Sequence, residues 1–281
     1  MSQINQARWA WWFLAALSRS VFFRRLLVAL SKAPIFGAPL RRLVSRVFPQ
    51  KTRVWFRIPT GLGKGLWVNL DPRFEMDYAS GKYERQVEQK LSELLRPGAV
   101  FYDVGAHIGV LSLVAARLVG TQGIVFAFEA DPANAARVEE HSQRNGLIQI
   151  RIVPSAVWST GGRLRFERAS TQSSLNQGAV ATERTETTVN TVDVDAIALD
   201  DFSCRHAPPD LIKIDVEGAE GAVLRGCEQI FATKRPVLIC EVHHEDAFGE
   251  ISRWLLKQNY SFEWLVDSPN FPRHMLAKWH K

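Results

Sequence analysis

Two groups of residues have the types and spacing to do chemistry. The first is the run Asp103-Val104-Gly105-Ala106-His107-Ile108-Gly109, followed later by Glu129-Ala130 and by Ser155-Ala156. Its glycines let a chain turn sharply and approach a ligand closely. The amides that open a following helix lack helical partners and face whatever sits there. The second group is Asp215-Val216-Glu217, with Glu220 just beyond, and Glu241-Val242-His243. Residues two apart share a face of an extended chain, so each pair turns both side chains the same way. Carboxylates and an imidazole gathered in one cleft can move a proton. They can also hold a divalent cation: Asp215, Glu241 and His243 are a chemically allowed set, though nothing in their spacing demands a metal.

Both groups sit at the ends of apolar runs. Val100 to Val104 reads as a buried central strand leading through the glycine loop into a helix. Gly123 to Glu129 is a second buried strand ending in an acid. Asp131-Pro132 caps a helix to about Asn145-Gly146, and Ile150 to Val153 is a third strand. Leu211 to Ile214 is a fourth, leading into a helix to about Phe231, and Pro236 to Val242 is a fifth. A helix containing Ile251, Trp254 and Leu255 and a strand from Tyr260 to Val266 follow; the stretch from Phe271 shows no clear pattern. Alternating strands and helices imply right-handed crossovers and a parallel sheet, with its ligand beyond the carboxyl ends of the strands.

Ahead of this core, Arg53 to Ile58 and Gly65 to Leu70 read as short strands joined by a Gly-rich turn. No helix pattern follows that turn, so it has no phosphate-binding role. A helix with Val87, Leu91 and Leu94 on one face then leads to Pro97-Gly98. Leu164 to Arg168 reads as an exposed strand. Residues 169–186 are polar and aperiodic, which reads as a candidate substrate lid or as plain disorder. Strand character resumes from Thr187.

Charge divides the chain unevenly. The net charge is +6, yet residues 1–70 hold twelve of the 35 Lys and Arg and none of the 29 acids, so the remainder is net negative. The body is therefore no uniformly basic nucleic-acid-binding domain. Within the extension, Leu40, Leu43, Val44, Val47 and Phe48 share one helical face and Arg41, Arg42 and Arg46 the opposite one. Trp9 to Leu17 is apolar and tryptophan-rich but too short to span a bilayer. Residues 1–50 thus fit an anionic membrane surface, and equally fit packing on the body or a second subunit. Three scattered cysteines, Cys204, Cys227 and Cys240, read as buried structural thiols and suit a reducing compartment. The expected location is cytoplasmic, peripheral on the inner face of the membrane. Domain boundaries are expected at 1–57 for the extension and 58–281 for the body, and the oligomeric state is not legible.

A dinucleotide site wants G-x-G-x-x-G with an acid about 20 residues on. Here Gly105 and Gly109 are four apart, and Asp103 precedes the loop. This suits a cofactor with an amino-acid end, whose ammonium Asp103 would position. Glu129 would accept from ribose hydroxyls, and Ser155-Ala156 falls where an adenine edge would lie. S-adenosylmethionine fits this pattern better than NAD.

Gly81-Lys82-Tyr83-Glu84, the run Phe101 to Gly109, Phe126 to Pro132, Ala198-Leu199-Asp200-Asp201, the run Leu211 to Glu220 and Cys240-Glu241-Val242-His243 closely resemble, in the same order, the FkbM-type S-adenosylmethionine-dependent methyltransferases. The resemblance runs from about residue 65 to 265 and is most specific at Leu211 to Glu220. It departs at His107, where the family usually has Asn, and at Ala130, where it usually has Pro. It implies an α/β, Rossmann-like class I methyltransferase fold: a seven-stranded, mostly parallel sheet with one antiparallel strand and helices on both faces. It also implies methyl transfer to a hydroxyl of a sugar, glycolipid or polyketide-type acceptor.

A hydroxyl is a weak nucleophile and needs a base or a metal. His243 is the expected general base, oriented by Glu217 or Glu241, with Asp215 contacting cofactor or acceptor. Glu220 reads equally as an acid favourable to a helix dipole, and His244 as a surface residue. Two other readings stay open: a non-catalytic cofactor-binding scaffold at a membrane, and an NAD(P)-dependent oxidoreductase.

Overall fold

The computed structural model describes residues 53–72, 74–81, 83–168, 178–180 and 191–280. The amphipathic extension and most of the stretch expected as a lid lie outside the described residues. The chain divides into two compact units, Met1–Arg85 and Gln86–Lys281.

In the first unit, β1 (Val54–Arg57) and β2 (Trp67–Leu70) pair as an antiparallel hairpin. Phe56, Val68 and Leu70 are buried, as alternation on a half-buried strand requires.

The second unit holds the chemistry. It opens within α1 (Arg85–Leu94), whose buried face carries Val87 and Leu91, with Leu95 rather than Leu94 completing it. Then come β3 (Val100–Val104), α2 (Val110–Val119), β4 (Ile124–Phe128), α3 (Pro132–Asn145) and β5 (Ile150–Val153). Asp131 caps α3 by accepting from the Ala133 amide at 2.8 Å, and Pro132 sits at the first turn, where its missing N–H costs nothing. Buried Val, Leu, Ser and Ala residues cover α2 on all sides, the pattern of a helix enclosed by the core.

A small sheet follows. It contains β6 (Ala156–Val157), β7 (Gly162–Arg168), β8 (Gly178–Val180) and β9 (Thr191–Ile197), in the order β6-β9-β7-β8. Next is α4 (Leu199–Ser203), then β10 (Leu211–Ile214). The single helix expected after β10 is two, α5 (Glu220–Arg225) and α6 (Glu228–Thr233). The carboxylate of Asp200 holds the start of α6, accepting from the amides of Gln229 and Ile230, both at 2.9 Å. The chain closes with β11 (Val237–Val242), α7 (Glu245–Lys257), β12 (Tyr260–Trp264) and β13 (Arg273–Trp279).

The main sheet has seven strands in the order β12-β13-β11-β10-β3-β4-β5. All neighbours run parallel except β13, which is antiparallel to β11 and β12. The chain winds outward from β3 to β5, then returns to β10 on the other side of β3. Right-handed crossovers therefore place helices on both faces. The winding reverses between β3 and β10, and that switch point is where such sheets bind ligands. Tyr102, Phe126, Phe128 and Phe202 fill the core beneath it, with ring centroids 5.0 to 5.7 Å apart.

Candidate active site

The glycine loop turns at the carboxyl end of β3. Gly105 and Gly109 both have positive φ, +79° and +81°. A Cβ on Gly105 would meet the Asp215 carbonyl oxygen at 1.8 Å, and one on Gly109 would meet Val138 of α3 at 2.9 Å. The protein's own packing thus demands both glycines, where close approach to a ligand was expected. His107 lies between them at φ +52°, and its amide donates to Glu129 Oε2 at 2.7 Å.

Asp103 does not line the crevice. It is fully buried, accepts from the Ser112 hydroxyl of α2, and lies 3.8 Å from the Lys213 ammonium. The reason is register: Asp103 of β3 sits opposite Lys213 of β10, and neighbours in register project to the same side of a sheet. From there Asp103 supports the loop from beneath. Lys213 also donates to the Gly105 carbonyl at 3.3 Å and to Asp215 Oδ2 at 3.1 Å. Sequence reasoning gave Lys213 no role, although a lysine inside a four-residue apolar strand was a usable signal, because a buried ammonium needs partners.

Glu129 closes β4. Its oxygens accept from the Asp131 amide at 2.9 Å and from the His107 amide. Burial pushes its carboxyl up to about 7, against the pull of those two amides and of Asn134. After these three bonds the carboxylate still has an acceptor position to offer. A buried carboxylate held this high would gain from a further hydroxyl donor, as a ribose provides. The residues present therefore fit S-adenosylmethionine at its ribose. Ala130 and Ala156 pack in a small apolar cluster with Phe166 and Val194. Ser155 is half-buried between β5 and β6, its amide donating to the Val153 carbonyl.

The second group converges as the topology requires. Asp215 and Glu217 follow β10, while Glu241 and His243 end the adjacent strand β11. His243 is ringed by acids. Its Nδ1 is 2.8 Å from Glu220 Oε1, and its Nε2 is 3.2 Å from Glu217 Oε2 and 3.6 Å from Asp215 Oδ1. Burial alone would lower the imidazole; hydrogen bonds and charge from Glu217 and Glu220 outweigh it and push the pKa up to about 10. An imidazolium donates from both nitrogens. Burial likewise favours a neutral Asp215. Lys213 and His243, with hydrogen bonding from Glu241 and Lys213, prevail and hold its carboxyl below the ordinary value.

Glu220 is more than a first-turn acid. It is fully buried, and its Oε1 also accepts from the Gly218 amide at 2.9 Å. Glu241 is positioned from its far side by β13, the strand that the sequence did not reveal: Glu241 stands in register with His274, whose Nε2 is 3.8 Å from Glu241 Oε2. His244 is the N-cap of α7, accepting from the Ala247 amide at Nδ1. Cys227 and Cys240 are buried, and burial pushes both thiols well up, whereas Cys204 is exposed.

Residues 103–262 match the Methyltransferase FkbM domain. The chain is 30% identical over 162 residues to the hexuronic acid methyltransferase AglP of Haloferax volcanii, an alignment covering 57% of this chain and 62% of that protein. It is 29% identical over 185 residues to the 31-O-demethyl-FK506 methyltransferase FkbM of Streptomyces tacrolimicus, covering 56% and 70% respectively. Among solved structures, the methyltransferase FkbM of Methylobacillus flagellatus KT is similar at a TM-score of 0.47 and 15% identity, over 72% of this chain and 52% of that one. The chain thus spans less than two thirds of the hexuronic acid enzyme and about half of the solved structure. With 160 of its residues in the matched domain, a strand order that reverses between β3 and β10, and the glycine loop and acids at that reversal, the chain belongs to the FkbM family of S-adenosylmethionine-dependent methyltransferases.

Proposed function

We infer that the protein transfers a methyl group from S-adenosylmethionine to a hydroxyl oxygen of a sugar-like acceptor. The observation that carries this reading is the gathering of Asp215, Glu217, Glu241 and His243 at the ends of β10 and β11, beside the loop that closes β3. Bound S-adenosylmethionine supplies a methyl group made electrophilic by its sulfonium.

The chain's own residues do the rest. Glu129 takes the ribose hydroxyls, and Gly105, His107 and Gly109 present the loop backbone. Ala130, Ser155 and Ala156 flank the adenine. The acceptor oxygen gains the methyl group and must lose its proton. With His243 held as a donor, Glu217 is the proton acceptor, because it is the most exposed carboxylate touching the ring, at 28%. Asp215 and His243 orient the hydroxyl. Positioning of this kind contributes much of such a reaction's acceleration.

The sugar class follows from the hexuronic acid relative, and a polyketide hydroxyl is the second acceptor class because of the FK506 relative. Residues 1–50 are proposed to meet an anionic membrane surface, which would bring the enzyme to a lipid-linked acceptor. No helix among the described residues is long and apolar enough to cross a membrane. Calorimetry with S-adenosylhomocysteine, run beside transfer of labelled methyl to a panel of hexuronic acids, neutral glycosides and polyketide alcohols, tests the reading. Binding with transfer supports it; binding without transfer to any member would favour a scaffold.

A further inference from the structure

A carboxylate is a weak base for a sugar hydroxyl, whose own proton is held far more tightly. Something else in the site must make that proton easier to remove. One ligand atom each from Asp215, Glu241 and His243 lies within 4.8 Å of the others. All three side chains are about 15% exposed, so an ion from solvent can reach them.

The surrounding contacts prepare these atoms. Lys213 occupies Oδ2 of Asp215 and leaves Oδ1 towards His243. Glu220 occupies Nδ1 of His243 and leaves Nε2 towards Asp215 and Glu217. A carboxylate on the far nitrogen is how metal-binding histidines are usually oriented. Glu220 is itself fully buried and tied to the Gly218 amide, so it holds the imidazole from inside the fold. One oxygen of Asp215 and one of Glu241 lie within 4.8 Å of each other, a like-charge juxtaposition that a cation between them would relieve.

We propose that Asp215, Glu241 and His243 hold a divalent cation of the Mg²⁺ or Mn²⁺ kind, which binds the acceptor hydroxyl and eases loss of its proton. The site deepens the methyl-transfer reading and rests on it for its purpose, though not for its existence. Two carboxylates and one imidazole leave room in an octahedral shell for acceptor oxygens and water. Binding displaces the Nε2 proton of His243. Glu217, outside the ligand set but 3.2 Å from that nitrogen, remains to take the hydroxyl proton.

The test is titration of the metal-stripped full chain with Mn²⁺ alone, followed by loss of the free-ion electron paramagnetic resonance signal. One ion per chain is expected. Asp215→Asn and Glu241→Gln should each weaken binding at least tenfold, and the exposed Asp267→Asn should leave it unchanged. Retained S-adenosylhomocysteine binding and an unchanged melting temperature in Glu241→Gln show that its fold is intact. No Mn²⁺ binding by the wild type, or equal binding by all variants, would overturn the proposal. The two readings fail separately. Full methyl transfer in chelator overturns the metal and keeps the activity; site-specific Mn²⁺ binding with no transfer to any acceptor keeps the metal and overturns the activity.

Discussion

Glu220 holds the His243 ring through Nδ1 at 2.8 Å while its own oxygen is tied to the Gly218 amide. The acid is fully buried, so the ring's orientation is set from inside the fold rather than by solvent. Glu220→Gln keeps the shape and weakens this hold. Turnover should fall about 10- to 100-fold, the usual loss when the partner of a functional histidine is removed. Affinity for S-adenosylhomocysteine should stay within about twofold, because the hydrogen bonds of Glu220 go to Gly218 and His243. Steady-state kinetics and calorimetry on the same preparation separate the two effects. A parallel fall in both would make Glu220 a purely structural residue.

Lys213 ties β10 to β3 through Asp103, Asp215 and the Gly105 carbonyl. Removing one partner of a buried ion pair leaves the others uncompensated, at about 3–5 kcal/mol. Lys213→Met preserves the volume and strands two acids. Denaturant unfolding should show a loss of about 3 kcal/mol or more, and the melting temperature should drop by roughly 6–12 °C for a domain of this size. An unchanged midpoint would mean that Asp103 and Asp215 find other partners.

Glu129 gives the cofactor site a pH dependence. Its folded-state value of about 7 lies above the ordinary 4.5. Between those values the folded protein keeps a proton that the unfolded chain has lost. The stability this group contributes to the empty protein is therefore present below 4.5 and lost as pH rises through 7. Ribose hydroxyls prefer the ionised form, so S-adenosylhomocysteine should bind more weakly below pH 7, by up to about tenfold per unit, and evenly above it. Glu129→Gln should bind weakly at every pH. Calorimetry between pH 5.5 and 8.5 checks this.

The sequence made the parallel core readable because its strands are apolar on both faces and end at Gly, Pro or an acid. Val100–Val104, Ile124–Phe128 and Leu211–Ile214 lie where expected. β13 escaped because Arg273, His274 and Lys278 interrupt its apolar run. Its strand character comes from pairing with β11 and β12, which no local pattern records. The convergence of Asp215, Glu217, Glu241 and His243 was legible, since adjacent parallel strands bring their ends together. The roles of Asp103 and Lys213 were not: they depend on register between strands more than a hundred residues apart. Nor was the charge on His243 legible, because Glu217 and Glu220 reach the ring only after the chain turns through Glu217 at φ +52°.

The charge asymmetry of the chain carries its own expectation. Residues 1–50 hold eight arginines and lysines and no acid. The full chain should sediment with vesicles containing anionic lipid, while a form beginning at residue 51 should remain in the supernatant. Raised salt should release the full chain, because exposed charge attraction is screened over about 10 Å at 0.1 M. Equal partitioning of both forms would assign the extension to a protein contact.

The hydroxyl acceptor is the claim on which the acid–histidine cluster depends. A carboxylate acceptor carries no proton to remove and would need no such apparatus. The most direct measurement is transfer of ¹³C-labelled methyl from S-adenosylmethionine to a hexuronic acid glycoside, with the product examined by NMR before and after mild base. Label in a base-stable methyl ether is the expected result. Label found only in a base-labile methyl ester, or not transferred at all, would contradict it.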